Sequence, residues 1–366
     1  VEIIKPTKQH FEVLDGLRGT AAVMVVLFHY SEFMYPSFDV SPFGHTYLAV
    51  DFFFLLSGFV IGYAYDNRWT SMSVKEFLYT RLIRLHPLVL IAMLLGIISY
   101  IFDPFAQAEQ QTSIGHLITT AALSMLLIPS KSLPNRHVEI FSLNGPAWSL
   151  FMEYIANIAY AVVGRKMSIK QLKIFVALTG FLIVIVGVQT NRVEGGWGWP
   201  NLDIGFIRTA FSFFAGLLLF RLNIRIKIPW AFTLLSIVLI ALFLSPTVTY
   251  NGWYESAAVI ILFPLVVAAG AGSSISGFAK KICQFSGKIS YPLYILHYPF
   301  IYVFGHWFLS KQPTINEAYK VVTVVTILLI GFSWLVLKFY DEPLRKWLLA
   351  RLKNKQQKAV VKTVKG

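Results

Sequence analysis

The sequence is short of charge and of cysteine, and each shortage closes off a class of protein. Only 14% of the 366 residues are Asp, Glu, Lys or Arg, against roughly 25% in an ordinary soluble domain. With 56% hydrophobic residues and a mean hydropathy of +0.63, the chain needs lipid around it. No polar stretch is long enough to be a second domain. The one cysteine, Cys283, allows no internal disulfide and no cysteine-built metal site, and it reads as a small residue in a basic loop. His10, His45, His116, His137 and His306 lack metal-ligand spacing, so no metal is expected. There is no internal repeat whose halves share a motif, which counts against an inverted-repeat transporter. The opening VEIIKPTKQHFEVLDGLRG lacks the basic stretch, short apolar core and cleavage site of a secretory signal, so the first span is expected to direct insertion. The net charge of +14 is dispersed between apolar runs, which speaks against nucleic acid as a partner.

What is present is a series of apolar runs suited to a hydrocarbon core about 30 Å thick. They fall near 12–33, 47–66, 83–102, 116–129, 146–164, 172–188, 204–221, 229–245, 255–271, 289–308 and 317–339. Short loops rich in Lys and Arg stay in the cytosol. Lys5 and Lys8 put the amino terminus inside, and Arg68, Lys75 and Arg81 put the second connection inside. The acidic stretch from Asp103 to Gly115 then falls outside. If 116–129 crossed, the later basic groups around Lys166, Arg225 and Lys281 would all lie outside. If it dips in and returns, they are all cytosolic. The expected fold is therefore an all-α polytopic membrane protein of about ten transmembrane helices plus one re-entrant or interfacial segment, about 116–129, with both termini cytosolic. The domain layout is a transmembrane domain over 1–345 and a basic cytosolic tail over 346–366. From Arg345 to the end there are eight basic residues and no acidic one, a pattern that attracts anionic lipid.

The chemistry begins in the first run, where Asp15, Arg18, His29 and Glu32 interrupt an apolar helix. At about 100° per residue, Arg18 and His29 return to within roughly 20° of each other, and all four share one face. Ionisable groups in hydrocarbon cost on the order of 2.5 to 3.5 kcal/mol each, so such a stripe should face a protein interior or a wet cavity. By the same argument Asp51 and Glu153 should face inward. Arg81 and Arg84, three apart, point the same way and suit bidentate contact with phosphate.

The run LDGLRGTAAVMVVLFHY resembles the opening of the acyltransferase family 3 proteins, membrane enzymes that acylate lipopolysaccharide, exopolysaccharide, peptidoglycan, Nod factors and some antibiotics. Their signature, an Arg and a His separated by ten residues, is met by Arg18 and His29. Similar segments follow in order: YLAVDFFFLLSGF at Tyr47, RLIRLHP at Arg81, PAWSLFMEY at Pro146 and ISYPLYILHYPF at Ile289. The resemblance covers about Phe11 to Arg345. His86 stands where an aromatic such as Tyr is expected. No extracytoplasmic hydrolase-like domain follows the last span, unlike in fused members, so the transmembrane acyltransferase domain is expected to complete the transfer alone or with a partner.

The resemblance implies transfer of an acyl group, in the first place acetyl, from cytosolic acyl-CoA to a hydroxyl of a carbohydrate such as a surface or exported polysaccharide, in a bacterial inner membrane. The candidate catalytic residues are His29, Arg18, Glu32, Glu153 and Asp51. His29 is read as general base with Glu32 orienting it, and a covalent acyl-His step stays open beside direct transfer. Arg18, Arg81 and Arg84 are the candidate acyl-CoA ligands. Trp148, Ser149, Tyr291 and His297, with Tyr294 nearby, are the candidate acceptor contacts. A transporter or flippase using the same charged stripe is the alternative, and self-association is left open. The topology has a direct test. With Cys283 replaced, single cysteines placed near Lys131 and near Lys166 are expected to react with an impermeant thiol reagent from opposite sides; labelling of both from one side removes the re-entrant segment.

Overall fold

The computed structural model describes residues 10–106, 112–136 and 138–352. Lys5, Lys8, His137, part of the acidic stretch before Gly115 and the tail lysines from Lys353 onward lie outside the described residues. The described residues are predominantly helical: α1 Glu12–Met34, α2 Ala49–Tyr65, α3 Val74–Ile101, α4 Ile114–Met125, α5 Ala147–Val162, α6 Ile169–Thr190, α7 Leu202–Arg221, α8 Ala231–Phe243, α9 Asn251–Ala257, α10 Phe263–Gly272, α11 Gly277–Leu296, α12 Tyr298–Lys311 and α13 Ile315–Val336. Among the described residues, seven helical stretches are long and apolar enough to cross a membrane: those containing α1, α2, α3, α6, α7, the α9–α10 pair and α13. Two shorter apolar helices, α4 and α8, accompany them.

Helix starts follow local sequence. Ser73 with Glu76, Ser168 with Gln171 and Thr314 with Glu317 form reciprocal caps for α3, α6 and α13, each satisfying two N–H groups that the first turn leaves without partners. The cap at Ser73 starts α3 nine residues before the apolar run, so Arg81 and Arg84 sit inside the helix and not at its entry. Likewise α11 begins at Gly277, which puts Lys280, Lys281, Lys288 and Cys283 on a helix where a loop was expected. Cys283 is buried against α1, where a Cβ on Gly16 would come within 2.5 Å of its sulfur. At 12 and 13 residues, α4 and α8 are each about 18–20 Å long, short of a straight crossing of about 30 Å, so length alone does not separate them. Just past the end of α4, Leu127 has a positive φ of 52°.

The run over 289–308 is not one helix. It breaks at His297, between α11 and α12. The cause is Pro299: it has no N–H to give the carbonyl four residues earlier and its ring crowds that carbonyl. The freed acceptor is Ile295 O, and the Asn144 side chain donates to it at 2.7 Å. The inner helices are α1, α2, α7 and the α9–α10 pair, while α3, α6 and α13 turn most of their surface outward.

The backbones of α2 and α7 cross in close contact. A Cβ on Gly58 would lie 1.8 Å from Phe213 O, and one on Gly216 would lie 1.9 Å from Leu55 O. Small residues that let two backbones meet are the usual device for packing helices in lipid. Gly58→Val and Gly216→Val are each expected to destabilise the fold by about 1–3 kcal/mol through overpacking, read as a lower unfolding temperature in detergent. Unchanged unfolding of both variants would show that the helices separate freely here.

Candidate active site

The charged stripe of α1 lies along the broken α11–α12 rod. Close approach makes this possible: a Cβ on Gly19 would meet Ser286, and one on Gly287 would meet Asp15. Near the start of α1, Arg18 donates through Nη2 to Gly287 O at 2.6 Å and through Nε to Ser290 Oγ at 2.8 Å, with Asp15 at 3.1 Å. Eleven residues on, roughly 16 Å along the helix, His29 and Glu32 meet the start of α12.

At the Arg18 end a cavity of about 670 Å³ opens between α1, α2, α3, α5, α11 and the helical continuation of α13 toward Leu352. That volume is in the range of small-molecule and cofactor sites. Its polar lining includes Arg18, Arg81, Arg84, Lys288 and Arg345. Arg81 donates to Glu153 at 2.7 Å, and the same carboxylate oxygen accepts from Ser57 at 3.0 Å. Arg345 pairs with Asp341 at 2.8 Å. Arg84 feels the like charges of Arg81, Arg18 and Arg345 more strongly than the opposite charge of Glu153, and among the described residues no carboxylate lies within ion-pair distance of it or of Lys288. A guanidinium set among three others, with no counter-ion of its own, suits an anionic ligand.

The cavity reaches inward to Ser149 and Tyr294, whose hydroxyls share a hydrogen bond of 2.7 Å. Tyr294 stands 6.1 Å, ring to ring, from His297. His297 is fully buried at the helix break and stacks on His29 at 5.3 Å and 28°. Each imidazole has a defined tautomer. His29 Nδ1 lies 2.7 Å from Glu32 Oε2, and His297 Nδ1 lies 3.1 Å from Leu293 O. A carboxylate and a carbonyl only accept, so both Nδ1 atoms carry hydrogen and both Nε2 atoms present lone pairs. His297 Nε2 has no partner among the described residues. Beside the pair, in the segment between α4 and α5, stands Glu139. Burial pushes its carboxyl up to about 8, against the opposing pull of hydrogen bonds from Tyr302 and Tyr298, so it holds a proton at neutral pH.

The structure therefore gathers the sequence candidates into two groups. Arg18, Arg81, Arg84, Glu153, Ser149 and Tyr291 line the cavity, and His29, Glu32 and His297 form the second group just beyond Tyr294. Tyr291 also anchors α11 by donating to Leu85 O at 2.6 Å. Asp51 and Trp148 belong to neither. Asp51 is fully buried and receives Arg208 Nη2 at 2.6 Å, Arg208 Nε at 3.1 Å and Ser212 at 3.4 Å. Trp148 packs against Phe54 and lies under the Arg208 guanidinium at 5.5 Å. His86 faces Tyr154, ring to ring at 6.4 Å. Among the described residues no group of three or more His, Cys, Asp or Glu is placed to hold a metal. Sequence reasoning missed Arg208, Lys288, Tyr298, Tyr302 and Glu139. Arg208, a lone charge in an apolar run, carried a signal that a buried partner exists; Glu139, in a segment without periodicity, carried none.

Comparison with known proteins decides the family. The profile described as "Acyltransferase domain", that of acyltransferase family 3, matches residues 11–338. The chain belongs to acyltransferase family 3. "Protein 2 in picA locus" of Rhizobium radiobacter is 30% identical over 190 residues, covering 50% of this chain and 96% of that protein. "Peptidoglycan O-acetyltransferase OatA" of Listeria monocytogenes is 24% identical over 371 residues, 93% of this chain and 56% of that protein. "O-acetyltransferase OatA" of Staphylococcus aureus is 24% identical over 362 residues, 91% and 57% respectively. The chain thus spans little more than half the length of these two O-acetyltransferases. No solved structure matches. Family membership and the seven apolar helices make this a multi-pass membrane acyltransferase, and the comparisons give no support to the transporter alternative.

The Asp51–Arg208 pair makes a testable claim about stability. Arg208→Met leaves a buried carboxylate without its cation and is expected to cost about 3–5 kcal/mol, most of which Asp51→Leu restores in the double variant. The measurement is thermal unfolding in detergent. A double variant no more stable than Arg208→Met alone would mean that Asp51 does more than answer Arg208.

Proposed function

We propose that this protein transfers an acyl group, in the first place acetyl, from cytosolic acyl-CoA to a hydroxyl of a carbohydrate acceptor such as a cell-surface or exported polysaccharide. It sits in the bacterial plasma membrane with ten crossings, the seven long stretches plus α5, α8 and the α11–α12 rod, and with both termini cytosolic. The observation that carries this reading is the sequence of groups along one path: a charged cavity in which Arg84 makes no ion pair among the described residues, then Ser149 and Tyr294, then two stacked imidazoles, with the Nε2 of His297 unpartnered among the described residues. CoA phosphates fit Arg84, Lys288, Arg81 and Arg18, and a thioester on a long slender arm fits a cavity whose lining runs from these cations to Tyr294. The names of the two O-acetyltransferases support acetyl as the group carried, and the Listeria protein's name, with peptidoglycan in it, supports a cell-wall sugar as the class of acceptor.

In this reading His29 Nε2 accepts the proton of the acceptor hydroxyl as that oxygen attacks the thioester carbonyl. The tetrahedral intermediate collapses, the C–S bond breaks, and the imidazolium returns the proton to the CoA thiolate. Glu32 holds Nδ1–H and stabilises the cation formed in between, a role comparable to that of the acid in a Ser-His-Asp triad. General-base help of this kind contributes typically 10²- to 10⁴-fold. Glu153 keeps Arg81 extended toward the cavity. Asp51 and Trp148 act through Arg208 in holding α7 against α2 and α5.

The experiment is a titration of labelled acetyl-CoA against purified protein, following acetyl transfer to isolated surface glycan. Arg84→Ala is expected to raise the KM for acetyl-CoA about 10- to 100-fold with kcat little changed, because phosphate contacts remote from the thioester are made equally in ground and transition states. His29→Ala is expected to lower kcat by at least about a hundredfold at normal protein level. An unchanged donor KM in Arg84→Ala moves the CoA site elsewhere, and near-normal kcat in His29→Ala removes the general base.

A further inference from the structure

The segment between α4 and α5 brings a buried acid to the histidine pair, and the chemistry set out above makes no use of it. Glu139 is 4% exposed. One of its carboxyl oxygens accepts from the Tyr298 hydroxyl at 2.8 Å, and the other is bonded to the Tyr302 hydroxyl. Its main chain is fixed as firmly: Glu139 O accepts from Ser132 and Ser142, and the residue pairs with Gly198 in an isolated β-bridge. Gly145 leaves the space for this arrangement, since a Cβ there would come within 2.7 Å of both the carboxyl and the Tyr298 ring.

Tyr298 is the link to His29. Its ring stands T-shaped against His29 at 4.8 Å and against His297 at 5.9 Å. The bond from Nδ1 to Glu32 is a single point about which the imidazole pivots. Stacking on His297 limits tilt to one side, and Tyr298 closes another. Tyr298 itself is fixed at its far end by the carboxyl. Arg136, 1% exposed, lies over the Tyr302 ring at 3.6 Å and completes the enclosure. Burying a carboxyl is costly unless its oxygens are bonded, and here both bonds are spent on orienting phenols.

We infer that Glu139 is a positioning residue for acyl transfer: through the Tyr298 hydroxyl it fixes the ring that keeps His29 Nε2 aimed at the acceptor. The kinetic part of this inference rests on the acyl-CoA reading of the site; the effect on the His29 ring rests on geometry alone. A misplacement of about 1 Å costs on the order of 10²-fold in rate, so small losses of hold are visible.

The test uses the full chain in detergent, with acetyl-CoA cleavage by water as the kinetic probe and diethyl pyrocarbonate labelling of His29, read by mass spectrometry, as the probe of the ring. Tyr298→Phe and Glu139→Ala are each expected to lower kcat about 10- to 100-fold while the KM for acetyl-CoA stays within about twofold, because the donor cavity lies on the other side of Tyr294. The double variant should be no worse than either single one, since both remove the same contact. Glu139→Gln, which keeps an acceptor for Tyr298, should recover most of the loss, and His29 labelling should quicken in Tyr298→Phe. Wild-type kcat and labelling in Tyr298→Phe overturn the inference, as do losses that multiply in the double variant. If Glu139→Ala fails to accumulate, Tyr298→Phe decides alone, since it removes one hydroxyl and no volume. Altered labelling in variants of a protein that never cleaves acetyl-CoA supports the positioning role and overturns the acyl-CoA reading instead.

Discussion

Every charge placed deep in this protein has to be answered by another, because lipid and packed side chains answer it far less well than water does. That constraint organises the bundle. Asp51 with Arg208 joins α2 to α7, Glu153 with Arg81 joins α5 to α3, and Asp66 with Arg221 ties the end of α2 to the end of α7. Asp15 with Arg18 and Asp341 with Arg345 hold charges beside the cavity. Each pair specifies which helices meet and in which register, whatever its net contribution to stability. Once the pairs are subtracted, the ionisable groups left over mark the chemistry. Arg84 sits in no ion pair among the described residues, with Glu153 as well as three cations acting on it, and Glu139, which holds its proton, has phenols on both oxygens.

The sequence made the helices and the stripe on α1 legible because both rest on periodicity. Asp15, Arg18, His29 and Glu32 had to share a face, and that face had to be covered. Which helix covers it was not legible, since pairing of helices depends on close contacts such as Gly19 on Ser286 and Gly287 on Asp15. Boundaries failed where polar residues belong to a helix. Ser73 starts α3 well before its apolar run, and α11 carries Lys280, Lys281 and Lys288 on its polar first turns. Asp51 was legible as an inward-facing acid but not as the partner of Arg208. Tyr298 stood inside a segment noted for its resemblance and was passed over, because nothing in its own neighbourhood points to a residue 159 positions away.

The break at His297 shows how a defect in regular structure becomes an asset. Pro299 removes one backbone bond, Asn144 takes up the carbonyl it leaves, and the rod bends where an imidazole is needed. A continuous helix through this point would carry the ring around with the helical turn. The bend lets α11 line the cavity and α12 carry Tyr298 and Tyr302 to Glu139, so one rod serves both groups of residues along α1.

The contact between Ser149 and Tyr294 has a consequence for the cell. It is the inner limit of the cavity, and the histidine pair begins directly behind it. Cells store energy as differences in ion activity across membranes, and an enzyme wetted from both faces at once would discharge such a store. Under the proposed transfer, a partition of this kind would keep the bilayer electrically sealed, since the group that has to pass is a small neutral acyl carbonyl, which takes no charge with it.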